Sequence, residues 1–437
     1  MAPIPAPVMA LLAALRFRDA LCEALQELSE AEWDRVLSFC DSTHLTIPLS
    51  QSCRENLPDW VQARIARNIS DNRERFKRIQ TVYTEMAKTL DAAGVEHLVL
   101  KGFAQWPAEV QDPALRQQSD IDLYCPAESG NDAIRALSTI GYKPIPWTVH
   151  FPSDQHLPTM MRPNTYQWRG NFFDPEMPLS VDVHIRFWNP ETTHIKLNGL
   201  EQFWTRRIEK KIGDMVVRAL HPVDSLGYCT LHALRNLITS SATVHQTYEL
   251  GRFLDMHSGD REFWTQWKEW HDDSLRQVEA TFFSLAREWF HCRMAEEVEQ
   301  EIHRLPSGVQ RWLEEYAYSP IRSILVSNKD ALWLHLSLVE SWRDQWSIFR
   351  QRLLGARMPP VAAFEENASE SDRARRAPSN PGSRLRKHAR HFAYVASRAA
   401  YHMRTFPSTL IRGLRWWWSG EVVKRLRRPA ARQREQS

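Results

Sequence analysis

Apolar positions follow a helical period over most of this chain and a strand period over part of its first half. Apolar residues recur at three- and four-residue spacing over residues 8–40 and 58–93, which predicts two helices, the second ending at Gly94. Residues 129–140 predict a further helix, and residues 222–354 predict an almost continuous helical region. Helices therefore make up most of the predicted structure.

Short segments of alternating or apolar residues between these helices predict the strands of one sheet. In chain order they are His97–Leu100, Asp120–Tyr124, Trp147–Phe151, Thr165–Phe172 and Leu179–Phe187. The order of these strands among the helices favours an α+β fold, in which a mixed sheet has helices packed on it. Further helical regions precede and follow this sheet.

Composition and periodicity together divide the chain into five segments. We predict an N-terminal helical region at residues 1–74, a sheet domain at 75–220, a C-terminal helical domain at 221–355, a linker at 356–383 and a basic tail at 384–437. The linker is rich in Ala, Pro, Ser, Glu and Arg and lacks apolar periodicity, which is typical of a segment without a core.

The charge of the chain is distributed unevenly. The whole sequence has a formal net charge of +3, but residues 373–437 contain 17 Lys and Arg and only two acids. The rest of the chain holds 39 Lys and Arg against 51 acids. An acidic body thus carries a basic tail, and the tail needs an explanation of its own.

Tryptophan and arginine dominate the basic tail. Three consecutive tryptophans at 416–418 lie between an apolar, arginine-containing segment at 410–415 and a basic run at 424–428. Tryptophan favours the headgroup region of a bilayer, and arginine favours anionic lipid. We therefore interpret the tail as an anchor on an anionic membrane surface or as a segment that docks on the acidic body. Nucleic-acid binding through phosphates and stacked bases is a third alternative.

Cysteine usage and hydropathy favour a place inside the cell. The six cysteines lack the paired spacing of a zinc site or a disulfide framework, so we expect buried thiols in a reducing cytoplasm. The N-terminal apolar run is short and lacks a basic leader, and no stretch has the length needed to span a bilayer. We expect a cytoplasmic protein, peripheral to the inner face of the membrane if the tail is an anchor.

The most informative segment is the strand that begins at Asp120. On a strand, Asp120 and Asp122 lie on one face while Ile121 and Leu123 point into a core. Two neighbouring carboxylates repel each other unless a cation lies between them, and a divalent metal is the usual solution. A third acid, Asp182, lies on another alternating strand further along the chain. The sequence thus predicts a metal site built from carboxylates.

Three segments together resemble the nucleotidyltransferase superfamily related to DNA polymerase β, and most closely its poorly characterised bacterial group. They are Leu100-Lys101-Gly102, the run Ser119–Leu123 preceded by Arg116, and Val181–His184. The resemblance covers about residues 75–260 and identifies the sheet domain as the catalytic domain. Better-known members of the superfamily have Gly-Ser where this chain has Lys101-Gly102, and the bacterial group shares this substitution.

The resemblance implies a reaction and a set of metal ligands. Enzymes of this superfamily move a nucleoside monophosphate from a nucleoside triphosphate to an acceptor, release pyrophosphate and use Mg²⁺ or Mn²⁺. By motif match, Asp120 and Asp122 would bind both of two metal ions, and Asp182 would bind the ion next to the nucleophile. Two such ions hold the attacking and leaving groups in line.

Further residues are candidates for binding the nucleotide or supporting the ligands. Lys101, Gly102, Arg116 and Ser119 are assigned to the nucleotide, because a glycine turn with nearby cations suits phosphate. Arg116 is alternatively a residue that clamps the strand. His184 shares a strand face with Asp182. It is a candidate for an outer hydrogen bond or a proton relay, or alternatively for a core histidine.

The predicted helical domain adds three candidates. His232 and Arg235 lie on one helical face, and Asp255 belongs to an L-x-D segment; related sequences show a similar arrangement. Family members commonly have a histidine where this chain has Asn236. The resemblance implies that these side chains line the cleft opposite the sheet and contact base, ribose or acceptor.

The acceptor and the presence of catalysis itself stay open at this point. The acceptor could be a small molecule, a sugar or surface-polymer precursor, a peptide or a protein, since the scaffold supports many acceptors. A long nucleic acid is not expected, because the catalytic region is not basic. One alternative is a non-catalytic member of the fold that senses a nucleotide or binds a partner. Another is a related phosphotransferase that moves the γ-phosphate.

Overall fold

The computed structural model describes residues 3–107, 110, 112–150, 153–239, 243–354, 392, 396 and 400–416. By its internal contacts the chain divides into two compact units, one made of Met1–Arg235 with Thr243–His303 and the other of Asn236–Ala242 with Arg304–Ser437. The predicted linker at 356–383 and most of the basic tail at 384–437 lie outside the described residues. The segment boundaries predicted from composition stay predictions.

A seven-stranded mixed sheet lies in the first unit and confirms the α+β fold. Its strands are β1 (Leu98–Val99), β2 (Asp120–Tyr124), β3 (Lys143–Pro144), β4 (Met160–Met161), β5 (Ser180–His184), β6 (Ile208–Ile212) and β7 (Met215–Ala219). Their order across the sheet is β3-β4-β5-β2-β1-β7-β6. β2 and β5 are therefore neighbours in space although they are far apart in sequence.

The register between β2 and β5 fixes the positions of three polar side chains. The two strands are parallel, Asp122 lies opposite Asp182, and His184 follows two residues later on β5. Because side chains alternate along a strand, all three share one face. The other face carries completely buried apolar residues, namely Ile121, Leu123, Val181 and Val183. A slip of one residue would expose this apolar set, so the core fixes the register.

Helices make up the rest of the first unit. They are α1 (Ala6–Ala14), α2 (Glu30–Thr43), α3 (Thr46–Cys53), α4 (Asp59–Ala92), α5 (Gly130–Thr139), α6 (Pro146–His150), α7 (Pro190–Thr193), α8 (Gln202–Thr205), α9 (Pro222–Ile238, which continues into the second unit), α10 (Val244–Met256), α11 (Arg261–Trp270), α12 (Asp273–Phe290) and α13 (Glu296–His303). The long α4 and the shorter α5 match their predicted ranges closely. The single helix predicted over residues 8–40 is wrong, because a 3₁₀ turn at Cys22–Leu25 separates α1 from α2.

The sheet differs from the prediction in several places, and its two-residue strands β3 and β4 match no predicted strand. Residues 146–150 form α6 instead of a strand, since Pro146 at the first helical position favours a helix start. The segment predicted as Thr165–Phe172 has no strand. The hairpin of β6 and β7 was not predicted, although Gly213-Asp214 between two alternating segments is a hairpin signal.

The cysteines also differ from the expectation. Cys22 and Cys53 form a disulfide bond that ties the turn after α1 to the end of α3. The sequence separation of 31 residues gives no motif, so the pairing follows only from the folding of α1 to α3. Cys40, Cys125 and Cys292 remain buried thiols, as expected. Cysteine usage therefore does not support a reducing compartment.

A buried arginine on α4 holds the segments that lead into β2 and β5. The side chain of Arg75 is completely buried, and its Nε donates to the carbonyl oxygen of Gln118 at 2.8 Å. Its Nη1 donates to the carbonyl oxygens of Met177 at 2.7 Å and Asp174 at 3.2 Å. Burial lowers the pKa of Arg75 to about 10, so the group stays charged at neutral pH. One guanidinium thus fixes the entry of both acidic strands.

A second buried network holds the start of α9. His271 lies between two buried carboxylates, with Nδ1 3.0 Å from Glu279 Oε2 and Nε2 3.5 Å from Asp224 Oδ1. Arg206 forms a bidentate pair with Asp224. Burial alone would lower the pKa of His271, but Glu279 and Asp224 outweigh it and raise the pKa to about 9. The network joins α9 to the residue after α8, to the turn between α11 and α12, and to α12 itself.

The second unit is helical in the residues that the structure describes. Its helices are α14 (Ser307–Tyr316), α15 (Ser319–Leu325), α16 (Ala331–Ser337) and α17 (Trp342–Leu354), and residues 400–416 are helical as well. The last segment packs on the others through an ion pair of Arg412 with Asp330. Among the described helices of the whole chain, none combines the length and the apolar character needed to cross a bilayer.

We expect the Arg75→Met variant to lose about 2–4 kcal/mol of unfolding free energy, because buried carbonyl oxygens would lose their donor. Urea unfolding followed by circular dichroism measures the loss. Lys77→Met on the same helix is the control, since Lys77 forms an exposed pair with Glu74 and should change stability by less than about 0.5 kcal/mol. A loss no larger than that of the control would contradict the role of Arg75.

The stabilisation from His271 should depend on pH. Its folded pKa of about 9 lies above the ordinary value of 6.5, so the contribution is complete below pH 6.5 and is lost as the pH rises through 9. We expect the stability difference between the wild type and His271→Gln to shrink by about 1–3 kcal/mol between pH 6 and pH 9.5. Chemical unfolding at both pH values tests this, and an unchanged difference would refute it.

Candidate metal and nucleotide site

Three candidate metal ligands meet on one face of β2 and β5: Asp122, Asp182 and His184. Each offers one ligand atom, and these atoms lie within 4.8 Å of one another. Asp122 and His184 are buried, whereas Asp182 is half-buried. The cluster follows directly from the parallel register of the two strands. It contains two of the three acids expected from the sequence and adds His184.

Asp122 is surrounded by positive and hydrogen-bonding groups. His184 Nε2 lies 3.0 Å from its Oδ1, and Lys101 Nζ lies 3.1 Å from its Oδ2. Burial alone would raise the pKa of Asp122, but Lys101 and the hydrogen bond from His184 outweigh it and hold the pKa well below its usual range. Asp122 is therefore an anion at every physiological pH.

Asp120 lies on the same strand face but is not part of the group of three. Burial and the charge of Asp122 raise the pKa of Asp120 to about 6, and Asp182 adds to this effect. The positive charge of Lys101 lowers the pKa of Asp120 but does not cancel these effects. The negative charge at this site thus exceeds what its own cations balance, and a proton or a metal ion near Asp120 would relieve the excess.

The residues present fit a divalent metal ion. Oδ1 of Asp182 is buried and accepts no hydrogen bond from the described residues. Nδ1 of His184 has no hydrogen-bond partner among the described residues but faces away from Asp122, so an ion shared with Asp122 would be bound by Nε2 in place of their present hydrogen bond. Carboxylate oxygens suit Mg²⁺ and Mn²⁺, and an imidazole ligand is compatible with Mn²⁺ or a later transition metal.

Lys101 is held in place by the helical side of the site. Its Nζ lies 3.1 Å from Nε2 of His232, whose Nδ1 is 2.6 Å from the side-chain amide of Gln246. Burial lowers the pKa of His232 well below its ordinary value, and the charge of Lys101 adds to this. With its proton on Nδ1, which faces the Gln246 carboxamide, the neutral ring accepts a hydrogen bond from the ammonium group at Nε2, so His232 positions Lys101.

The turn at Gly102 requires glycine but does not present its N–H groups to a ligand. Gly102 has φ of +74°, and a Cβ there would lie 2.5 Å from Oε1 of Gln118. The N–H of Gly102 donates to Gln105 Oε1, and the N–H of Phe103 donates to Gln118 Oε1. The expected close approach of this backbone to phosphate is therefore not available in this conformation.

The two other residues assigned to the nucleotide have different surroundings. Arg116 forms a bidentate ion pair with Glu249 of α10, with Nε–Oε1 of 2.8 Å and Nη2–Oε2 of 3.2 Å. The pair joins the segment before β2 to α10. Ser119 is exposed directly before Asp120. Ser119 is thus open to a ligand, whereas Arg116 is engaged with Glu249.

The three candidates on helices α9 and α10 differ in whether they reach the carboxylates. His232 reaches the site through Lys101, and Arg235 on the same helix binds Asp154 at 2.7 Å. Asp255 pairs with Arg293 at 3.0 Å instead. It lies nine residues after Gln246 on α10, which corresponds to about 13 Å along the helix axis. The structure brings His232 to the carboxylates and places Asp255 away from them.

Sequence reasoning missed two neighbours of the site. Nδ1 of His156 is 3.7 Å from Asp182 Oδ1, and the His156 ring lies 5.2 Å from that of His184. The hydroxyl group of Tyr228 is buried without a hydrogen-bond partner among the described residues. Tyr228 lies one helical turn before His232, a spacing that could have revealed it. No comparable signal marks His156, which lies outside the strands.

The surroundings of the cluster suit a phosphate-bearing ligand. Excess carboxylate charge attracts a divalent cation, and a bound divalent ion attracts phosphate oxygens. Lys101 adds a second cation that is anchored from behind by His232.

The comparisons with known proteins agree with this chemistry. A family model described as an uncharacterised nucleotidyltransferase matches residues 29–291, more than half of the chain. The matched range includes every candidate site residue. No curated protein matches the chain, and no solved structure does.

We expect Asp120→Asn to stabilise the metal-free protein at pH 7.5 by about 1–3 kcal/mol, because it removes a charge whose pKa is raised by folding. The gain should shrink as the pH falls from 6 towards 4, where the wild-type carboxyl is protonated in the folded state. Urea unfolding of both proteins at pH 7.5 and at pH 4, with a chelator present, measures the difference in unfolding free energy. Asp214→Asn in the exposed β6–β7 turn is the matched control. If Asp120→Asn and the wild type had equal unfolding free energies at pH 7.5, the proposed excess of negative charge at the site would be contradicted.

Proposed function

We propose that this chain, which belongs to an uncharacterised nucleotidyltransferase family, transfers a nucleoside monophosphate from a nucleoside triphosphate to an acceptor and releases pyrophosphate. The observation that carries the proposal is the pairing of Asp122 with Asp182 across β2 and β5. Oδ1 of Asp182 is buried without a hydrogen-bond partner among the described residues, which favours a bound cation.

The proposed metal ligands are Asp120, Asp122 and Asp182. Bound Mg²⁺ or Mn²⁺ supplies charge neutralisation at the reacting phosphate and lowers the pKa of the attacking hydroxyl group. The raised pKa of Asp120 supports its inclusion, since a carboxylate in excess negative charge gains most from a cation. His184 orients Asp122 through their hydrogen bond and is a further ligand candidate.

Lys101 is proposed to contact the phosphates of the nucleotide. Burial lowers the pKa of Lys101, but Asp122 and Asp120 outweigh it and raise the pKa, so the ammonium group stays charged. His232 fixes its direction. Because the neighbouring N–H groups are bound by Gln105 and Gln118, the side chain rather than the backbone of this turn would meet the phosphate.

The proposed reaction forms one bond at phosphorus and breaks another. The oxygen of an acceptor hydroxyl group attacks the α-phosphorus, and the bond from the α-phosphorus to pyrophosphate breaks. The proton of the hydroxyl group has to leave as the new bond forms, and we propose that Asp182 helps to accept it through the carboxylate oxygen that does not bind the metal ion. Ser119 at the exposed end of β2 and Arg235 with Asp154 are proposed to contact nucleotide or acceptor.

The acceptor is proposed to be a small molecule, a sugar or surface-polymer precursor, a peptide or a protein. The chain outside residues 373–437 is acidic overall, which does not favour a long nucleic acid. A γ-phosphotransferase would use the same carboxylates, so the position of the transferred phosphorus separates it from nucleotidyl transfer. A non-catalytic member would bind nucleotide without transfer, and the Lys101-Gly102 pair in place of Gly-Ser is the feature that supports this alternative.

We expect label to move from α-labelled but not from γ-labelled nucleoside triphosphate onto a component of a cell extract, in the presence of Mg²⁺ or Mn²⁺. Asp122→Asn should lower the transfer at least about 100-fold, because it removes a charge that the reacting phosphates require. Asp214→Asn, an equal change at an exposed turn, should leave the transfer unchanged. Autoradiography of the separated products measures the label transferred by the wild type and by each of the two variants.

The remaining outcomes distinguish the alternatives. Transfer from the γ-position alone would identify a phosphotransferase. Metal-dependent nucleotide binding by calorimetry without any transfer would favour the non-catalytic interpretation. If neither metal nor nucleotide bound to the wild type, every nucleotide-based proposal would be refuted.

A further inference from the structure

The helical residues 400–416 pack on the other helices of the second unit through small and polar side chains. Thr405 and Thr409 are buried, with 5% and 2% of their surface exposed. Gly413 lies directly against the ring of Trp333. Arg412 forms an ion pair with the buried Asp330, with Nη1–Oδ2 of 2.5 Å. These contacts determine which face of the helix is turned inward.

The opposite face of this helix is apolar and exposed. Its five large apolar side chains, hereafter the apolar stripe, are Met403 (69% exposed), Phe406 (37%), Leu410 (41%), Ile411 (67%) and Leu414 (60%). At about 100° per residue they occupy a sector of about 140° that faces away from Thr405 and Thr409. An ordinary surface helix buries its apolar side chains, whereas this one exposes them.

Cations lie along one edge of the apolar stripe. Arg404 and Arg415 are exposed and project beside Ile411, between the apolar sector and the buried face. The surrounding sequence is strongly basic, with 17 Lys and Arg in residues 373–437. An apolar helix face bordered by arginine is the pattern of a helix that lies in the plane of an anionic membrane surface.

We propose that the apolar stripe of residues 400–416 binds an anionic membrane surface. The apolar side chains enter the interface between headgroups and acyl chains, and Arg404 and Arg415 contact lipid phosphates. A second copy of this chain fits less well, because pairing the stripes would bring two basic segments together. Nucleic acid would attract the arginines but would leave the five apolar side chains exposed to water.

The contacts of the inward face hold the helix in its folded form before any lipid is bound. Many interfacial helices form only on contact with lipid and lose conformational entropy when they bind. Here the ion pair of Arg412 with Asp330 and the contact of Gly413 with Trp333 hold the helix in place. The apolar stripe is therefore displayed by the folded protein, and its binding does not depend on the proposed reaction.

Vesicle flotation of the full chain tests this inference. We expect the wild type to float with vesicles of phosphatidylglycerol and phosphatidylcholine in equal parts, and to bind less at high salt or to phosphatidylcholine alone. Ile411→Glu/Leu414→Glu should lower the partition coefficient at least about tenfold, because it places two charges in the apolar face. Arg404→Gln/Arg415→Gln should weaken binding to the anionic vesicles more than to the neutral ones.

The matched control carries the same number of apolar-to-acid changes elsewhere. Trp168→Glu/Val216→Glu replaces two exposed side chains of the first unit (53% and 62% exposed) and should float like the wild type. Thermal unfolding should give similar Tm values for all variants, since every substituted side chain is at the surface. Wild type that fails to float, or an Ile411→Glu/Leu414→Glu variant that floats equally well, would overturn the proposal. Sedimentation that shows a dimer lost in that variant would also overturn it, in favour of self-association.

Discussion

The parallel pairing of β2 with β5 sets Asp122 directly opposite Asp182, and the rest of the candidate site compensates for the repulsion between them. Like charges on neighbouring strands destabilise a sheet. Here the apolar residues on the opposite face fix the register, so the two acids cannot move apart by a slip of the strands. Lys101 and His184 offset part of the charge at Asp122, but Asp182 keeps a buried oxygen without a hydrogen bond from the described residues. A divalent cation is the simplest partner for what remains.

Groups further from the site hold this arrangement in place. Arg75 binds the backbone before both acidic strands, so the positions of the acids depend on α4 as well as on the sheet. The buried charges around His271 fix the start of α9, the helix that carries Tyr228 and His232. His232 in turn directs Lys101 towards Asp122. The sheet thus supplies the negative charges, and α9 supplies the histidine that orients the ammonium group of Lys101.

Much of the fold and part of the site could be predicted from local pattern. The strand Asp120–Tyr124 and the helices α4 and α5 follow from strong periodicity, and the alternation of acid and apolar residues marks the functional face. Prediction failed where local signals were weak or misinterpreted. Residues 146–150 contain apolar and β-branched residues but start with proline and form a helix. The disulfide of Cys22 with Cys53 joins elements whose proximity no spacing reveals.

The sequence by itself determined which residues carry charge on the polar face of the strands, because a period of two is a local property of the chain. It also determined the basic character of the tail. Only the tertiary structure decided that His184 joins the two acids, that Arg116 is engaged by Glu249, and that Asp255 lies far along α10. It also decided that residues 400–416 turn their threonines inward and their apolar residues outward. Such choices depend on contacts between segments distant in sequence, and no local pattern records them.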